Sequence, residues 1–513
     1  MKKITVKPGP KIEDYMGYGS LYAMVTKFLE ETTEYQNQLQ GKTIWMINST
    51  DVGGGVAEML PSQMRIIRTL GISIEWLVIE ASEKEKAFFN LTKRIHNAIH
   101  GSGDANFTED NRQAFEGVNK KNVATALNMI NDGDIVVVHD PQPVPLAGMI
   151  RKHRNVKTVW RCHIGLETTN DTTDSVWKFL SAYFDDYDHF VFSLESYVPK
   201  QLKDKSTIIS PAIDPLSHKN RKLWMHKCLG ILQQSGIIRE QSHCLYPRYE
   251  HQVRRVMPDG QIKSVIPYGS YRSVFHNNES DIIFYPTVLQ ISRWDRLKGF
   301  KELMDAFVLM KRENEKDEDK DSLNYRKIKL THLILGGPDP EFVSDDPEGL
   351  EVLNELIEKY KSISPDIQES IALLMLPLND PKENALIVNA LQWCATVVVQ
   401  NSIQEGFGLT ATEAMWKSRP VLVSGAAGLK AQVQHDVSGV INEDPKDIEA
   451  LANALKEMLN YTKDTDKLGF NGQVSVIKNY TLFTQVKSWL SLLADSPPSD
   501  KSKEATKSHC TIH

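Results

Sequence analysis

Short apolar runs alternate with helical stretches along this chain, and the alternation runs through twice with a break between. Strands are expected at residues 43–48, 72–79, 134–138, 158–160, 189–193 and 207–214, and again at 287–292, 332–337, 371–378 and 397–400. Helices intervene, among them 21–40, 350–361, 448–459 and 483–493. A strand that is apolar on both faces must be covered on both faces, and helices crossing over a parallel sheet do this. A chain of 513 residues exceeds what one core organises, so two such units are expected. The predicted fold class is therefore α/β, with two doubly wound, Rossmann-like domains.

The rhythm fails between about 216 and 283. A helical piece at 223–234 precedes a polar segment at 246–280, with PDG at 258–260, which fits an insertion carrying a hairpin and a loop. The expected organisation is an N-terminal domain at 1–215, an interdomain region at 216–283 and a C-terminal domain at 284–480. A helix at 481–495 and a polar, disordered tail at 496–513 complete it.

Composition excludes several classes. Hydrophobic residues at 41% and charged residues at 25% describe an ordinary globular protein. A net charge of −6 provides no general attraction to nucleic acid or an anionic membrane. The five cysteines (Cys162, Cys228, Cys244, Cys394 and Cys510) are odd in number and scattered, with neither metal spacing nor a disulfide framework. A reducing, cytoplasmic location is the expectation. The first fifteen residues lack the apolar core of a signal peptide, and no apolar run reaches membrane-spanning length. The terminal CTIH has the outline of a prenylation signal, but its final His is not a usual one.

The candidate site centres on QNSIQEGFGLTATEAMWKSRPVLV at 400–423, a strand end, a glycine-bearing loop, a helix and a further strand. Glu405 opens the loop and Glu413 follows eight residues later, on the helix. Gly406 and Gly408 leave the intervening backbone bare, and the helix begins at Thr410, Ala411 and Thr412 with its amides toward the loop. A helix N-terminus offers unsatisfied N–H groups and partial positive charge, which suits a phosphate. Carboxylates on either side of it suit a ligand with hydroxyls at both ends of a diphosphate, such as a sugar nucleotide. Such glutamates are also common on solvated surfaces.

Arg293 and Lys298 follow the strand at 287–292 and could neutralise a diphosphate, Arg by a bidentate fork and Lys as a point charge. In the first half, Gly53, Gly54 and Gly55 stand between a strand and a helix, as in a phosphate-facing turn. They do not make G-x-G-x-x-G, so a dinucleotide reading is weak, and a tight structural turn is the plain alternative. Gly55, His139, Asp140, Arg161 and His163 all lie just beyond predicted strand ends, the edge where open parallel sheets bind ligands.

The run EGFGLTATEAMWKSRPVL resembles the E-x7-E segment of retaining GT-B glycosyltransferases. GGGVAE at 53–58, HDPQP at 139–143, RCHI at 161–164, IDPLS at 213–217 and SRWDRLKG at 292–299 occur with it in one order. Together they resemble the retaining trehalose synthases of the glycosyltransferring type, whose near relatives include the retaining trehalose phosphorylases. The resemblance runs from about residue 40 to about 490, with 236–282 as the main departure.

It implies a GT-B fold, with two domains facing across a cleft and the last helix crossing back to the first. It implies that Arg293 and Lys298 neutralise a diphosphate or the phosphate of glucose 1-phosphate. Glu405 would bind the transferred glucose, with Gly406, Phe407, Gly408 and Leu409 beside the donor, and Glu413 would hold the ribose. Gly54 and Gly55 would approach the phosphate, His163 the glucose, and Asp140 and Arg161 the acceptor. Catalysis would rest on His163, Arg293, Lys298 and Glu405. No cofactor or metal is implied, and the partners are sugars and sugar nucleotides, with a homodimer compatible. Phosphorolysis and a catalytically silent nucleotide-sugar-binding protein are the alternatives, with glycoside hydrolysis behind them.

Overall fold

The computed structural model describes residues 1–51, 54–82, 84–238, 248–264, 285–342, 347–460 and 463–494. The chain divides into two compact units. One comprises Met1–Pro211 together with the helix Leu482–Leu493, and the other Ala212–Thr481.

The first unit is built on a seven-stranded sheet. Its strands are β1 (Lys2–Ile4), β2 (Thr43–Asn48), β3 (Ser73–Val78), β4 (Ile135–His139), β5 (Lys157–Cys162), β6 (His189–Phe192) and β7 (Ser206–Ile208). They lie in the order β1-β3-β2-β4-β5-β6-β7, all parallel except β1, which runs antiparallel to β3. Ile135, Val136, Val137 and Val138 are buried on both faces of β4, which is why this strand is a continuous apolar run. Strand order reverses between β2 and β4, so the carboxyl ends of these two strands flank the natural ligand crevice of the sheet.

Helix Leu482–Leu493 is part of this unit. Phe483 meets Tyr15 and Phe28 edge-on, with ring centroids 5.0 and 5.2 Å apart. Gln485 bonds the Gln63 side chain and donates to the Ser210 carbonyl at 2.7 Å. At the helix end, Lys157 Nζ donates to the Leu492 carbonyl at 2.8 Å, a cation placed against the negative end of the dipole.

The second unit has eight strands. These are β8 (Arg254–Val256), β9 (Ile262–Ser264), β10 (Thr287–Ile291), β11 (His332–Pro338), β12 (Ile371–Leu376), β13 (Val397–Gln400), β14 (Val421–Ser424) and β15 (Val440–Asn442). The order is β15-β14-β13-β10-β11-β12-β8-β9, parallel from β15 to β12. Leu303, Met304 and Phe307 of helix Phe300–Asn314 pack with Leu333 and Leu335 of β11 and Leu353 of helix Pro347–Lys361 in its core. Each such fully buried side chain contributes about 1.5–3 kcal/mol. The switch in strand order falls between β10 and β13.

β8 and β9 form a hairpin within the stretch read as interdomain, and β8 adds antiparallel to β12. The turn closes through Met257 N to Gln261 O and Gly260 N to Met257 O, both 2.8 Å, with Gly260 at φ 84°. Arg254 anchors it, gripping the buried carboxylate of Asp339 through both Nε and Nη2. The rest of the expected insertion, 239–247 and 265–284, and the tail beyond 494 lie outside the described residues. No helix among the described residues is long and apolar enough to cross a membrane.

Candidate active site

In the second unit the chain leaves β10 at Ile291 and makes a single 3-10 turn, Arg296–Lys298, capped by the Asp295 side chain accepting from Leu297 N at 2.8 Å. Gly299 then takes φ 61°, and a Cβ there would run into the backbone carbonyl of Asn401. The segment after β10 is thus pressed against the segment after β13, and only glycine fits. Gln290, fully buried, ties the two together: its Nε2 donates to Lys298 O at 2.7 Å and its Oε1 accepts from Asn401 N at 3.0 Å. Ile403 N adds a bond to Leu297 O at 2.7 Å.

This stitching sets Lys298 Nζ 2.7 Å from Glu405 Oε2, with the side chains only 13% and 15% exposed. Ser402 Oγ donates to the same carboxylate oxygen at 3.1 Å. Arg293 behaves differently. Its side chain is 72% exposed and lies 3.6 Å from the Asp295 carboxylate, so the two expected cations occupy unlike environments.

Gly408, at φ 85°, caps helix Leu409–Trp416. A Cβ there would sit 2.5 Å from Leu429 Cδ2, and one at Gly428 would sit 2.6 Å from Phe407 Cα. The glycine loop therefore lies directly on Gly428. A Cβ at Gly406 would meet no atom within 4 Å. Phe407 is buried, edge-on to Tyr480. Glu413, in the same helix, is 7% exposed.

Beneath it Lys417, fully buried, donates to Gln392 Oε1 at 2.8 Å and to the Glu413 carbonyl at 3.0 Å. Burial pushes its ammonium down to about 7, and the Glu413 carboxylate partly opposes this. Lys417, Gln290, Ser402 and Gln392 were not among the sequence candidates. Lys417 ends a helix and so looks like an ordinary solvated cation near the negative dipole.

In the first unit, four candidates form one cluster at the ends of β4 and β5. Asp140 adopts φ 62°, the left-handed region that Asp tolerates better than most residues. Three bonds hold it there: Asp140 N to Arg161 O at 2.8 Å, Trp160 Nε1 to Asp140 O at 2.9 Å, and His163 N to Asp140 Oδ1 at 3.1 Å. Burial raises its carboxyl to about 6, against the opposing pull of the His163 amide and Arg161.

His139 and His163 stack with centroids 5.4 Å apart and planes 14° from parallel, and His139 Nδ1 is 3.0 Å from His163 Nε2. That bond needs one imidazole nitrogen to donate and the other to accept. Burial and the nearby guanidinium hold His139 down at about 3 and His163 well below its ordinary value. Arg161 is 1% exposed and donates from Nη2 to Ser193 Oγ at 3.1 Å. Its Nε and Nη1 are buried without a hydrogen-bond partner among the described residues. Buried donors left unpaired cost about 1–3 kcal/mol each, so this edge suits an oxygen-rich ligand. Ser193 was not anticipated, since a serine at a strand end carries no signal of its own.

Gly54 and Gly55 form the first residues of helix Gly54–Thr69, and a Cβ at Gly55 would meet no atom within 4 Å. Residues 52 and 53, where the phosphate-facing turn was expected, lie outside the described residues.

Comparison with known proteins follows the same division. Residues 46–199 match the family described as trehalose synthase, N-terminal domain, and 284–474 match glycosyl transferases group 1. The chain is 30% identical over 489 residues to the trehalose synthase of Thermococcus litoralis, covering 94% of this chain and 97% of that one. It is 26% identical to the trehalose phosphorylase of Pleurotus sajor-caju, covering 85% of this chain and 56% of that one. The crystal structure of an α,α-trehalose-phosphate synthase (UDP-forming) from Burkholderia vietnamiensis superposes with a TM-score of 0.59 at 14% identity, covering 88% of this chain and 98% of that one. At that identity the likeness establishes the GT-B fold alone.

Proposed function

The chain belongs to the trehalose synthase family, and on that premise we propose that it is a retaining hexosyltransferase. It moves glucose between a nucleoside-diphosphate glucose and free glucose, making or reversibly cleaving α,α-trehalose. The observation that carries this reading is the Lys298–Glu405 pair at the β10/β13 switch point, beside the helix that Gly408 opens. A cation, a carboxylate and a helix N-terminus suit a ligand that joins sugar hydroxyls to a phosphate.

In this mechanism Lys298 and the helix dipole stabilise the negative charge that grows on the leaving phosphate, and Arg293 adds a bidentate fork. Glu405 accepts hydrogen bonds from the transferred glucose. The buried Glu413 accepts from the ribose hydroxyls. Gly54, Gly55 and the amides of Gly406–Leu409 serve phosphate oxygens. His163 lies beside the glucose, and Asp140 and the unpaired edge of Arg161 take acceptor hydroxyls. The same-face substitution needs no protein nucleophile: a leaving phosphate oxygen accepts the acceptor's proton as the C1–O bond to phosphate breaks and the new glycosidic bond forms. The proposed chemistry is positioning and charge stabilisation, without a metal. A reducing, cytoplasmic setting belongs to the same reading, supported by the free thiols of Cys162, Cys228 and Cys394.

The resemblance to a trehalose phosphorylase favours one second reading, in which inorganic phosphate replaces the nucleotide. One experiment separates the two. The purified protein is incubated with trehalose and, separately, UDP, ADP, GDP or phosphate, and the products are read by proton NMR. Nucleotide-dependent release of an α-configured glucosyl donor is the expected result. Product with phosphate alone supports the second reading, a β-configured product overturns retention, and no product in any arm overturns both.

A further inference from the structure

Gln432 lies outside the E-x7-E run, beyond β14, yet its side chain is the polar hub beneath the glycine loop. It is 3% exposed. Its Nε2 donates to the Phe407 carbonyl and to Gly428 O at 2.8 Å, with Gly408 O also at 3.4 Å. Its Oε1 accepts the hydroxyl of Thr412, one turn into the helix. The amide can stand only one way round: carbonyls cannot donate, so the NH2 must face Phe407 and Gly428, which leaves the oxygen for Thr412.

In a trans peptide the C=O and the following N–H point in opposite directions, and no described peptide bond is cis. Drawing the Phe407 carbonyl inward to Gln432 therefore turns the Gly408 N–H outward. The Gly408 carbonyl also accepts from Ala411 N at 3.0 Å, down the helix, so the Leu409 N–H faces back out of the helix start. The φ of 85° at Gly408 is the twist that lets successive peptides adopt this arrangement. Two adjacent N–H groups aimed to one side make a small anion-binding concavity.

We propose that Gln432, locked by Thr412, is a positioning residue that aims the Gly408 and Leu409 N–H groups at the phosphoryl oxygens of the donor. This rests on the reading of the glycine loop as the donor's phosphate site. Gln432 touches no substrate itself; without its inward pull the Phe407–Gly408 peptide is free to rotate and the concavity is lost.

The test reads anion binding separately from turnover. Inorganic pyrophosphate and UDP are titrated calorimetrically into the wild type, Gln432→Met, Thr412→Val and Thr412→Ser, each checked for native near-UV circular dichroism. Gln432→Met is expected to weaken pyrophosphate binding about ten- to a hundredfold, the range for loss of hydrogen bonds to a charged ligand. Thr412→Val weakens it by a smaller factor, and Thr412→Ser, which restores the hydroxyl, recovers it. In steady-state kinetics the donor KM and kcat change while the glucose KM stays within about twofold, a split that general loosening of the fold would not give. Wild-type pyrophosphate affinity in Gln432→Met, equal losses in Thr412→Val and Thr412→Ser, or no pyrophosphate binding by the wild type would each overturn the inference. A chain whose pyrophosphate binding depends on Gln432 yet which forms no trehalose keeps this inference and sinks the proposed reaction instead.

Discussion

Lys298 Nζ and Glu405 Oε2 lie 2.7 Å apart although 107 residues separate them in the chain. Both side chains are largely buried, so removing either partner leaves a charge with poor solvation. Lys298→Ala should lower kcat/KM by about a hundredfold or more, because leaving-group charge is then unopposed in the transition state. Glu405→Ala should cost a similar factor. The double variant should lose far less than the product of the two, since the groups act as a unit. Steady-state kinetics on the four proteins check this, and strictly multiplicative losses would show two independent sites.

Arg293 should matter less than Lys298. At 72% exposed it works through solvent-screened charge, so Arg293→Ala should raise the donor KM about tenfold with a smaller change in kcat. Arg293→Lys should remain impaired because the planar fork is gone. The wild-type donor KM should climb with salt more steeply than that of Arg293→Ala. Parallel salt dependences would mean that Arg293 makes no contact with the diphosphate.

The two glutamates divide by ligand. Glu405→Ala should slow transfer with any leaving group, phosphate included. Glu413→Ala should weaken nucleotide-dependent reactions by about ten- to a hundredfold and spare any phosphate-dependent one, because glucose 1-phosphate carries no ribose. Comparable losses of affinity and turnover in both variants would refute this division of labour and the donor orientation that goes with it.

Acid stability should depend on the histidine pair. His139 stays neutral in the fold down to about pH 3, whereas an unfolded histidine protonates near 6.5, so the unfolded chain binds the extra proton between these values. Stability then falls as pH drops through that window, by about 1.4 kcal/mol per pH unit per group, and His163 acts in the same sense. Asp140 opposes it: its folded value near 6 lies above the ordinary 3.8, so the fold gains stability as pH falls from about 6 to 3.8. Two histidines outweigh one aspartate. Denaturant melts from pH 7 to 4 should show a net loss, shallower in His139→Gln and steeper in Asp140→Asn.

The sheets were legible wherever a strand was long and apolar on both faces, as in β4 and β10, because burial there dictates residue type directly. β1, with Lys2 and Lys3 in its three residues, and the equally short β15 carry no such pattern and were not anticipated. At the site, Lys298 and Glu405 announced themselves as charges next to glycines after a strand. Gln290, Ser193, Lys417 and Gln432 did not, because each is a buried polar residue with at least one partner that lies well away in sequence. Gln290 reaches Asn401 across 111 positions, and no local spacing encodes that.

The hairpin of β8 and β9 has a consequence for the protein in a crowded solution. Without it, β12 would end the described sheet as six apolar residues, Ile371–Leu376, with a row of open backbone donors and acceptors. Such an edge is a template for pairing with another chain. The Arg254–Asp339 grip lays the hairpin over it, and the described sheet ends instead at Ile262–Ser264, three residues with Lys263 at their centre. A short, charged border is a poor template for growth. Arg254→Ala would be expected to leave the fold standing while shortening the time to aggregation, because it unlatches the guard on β12.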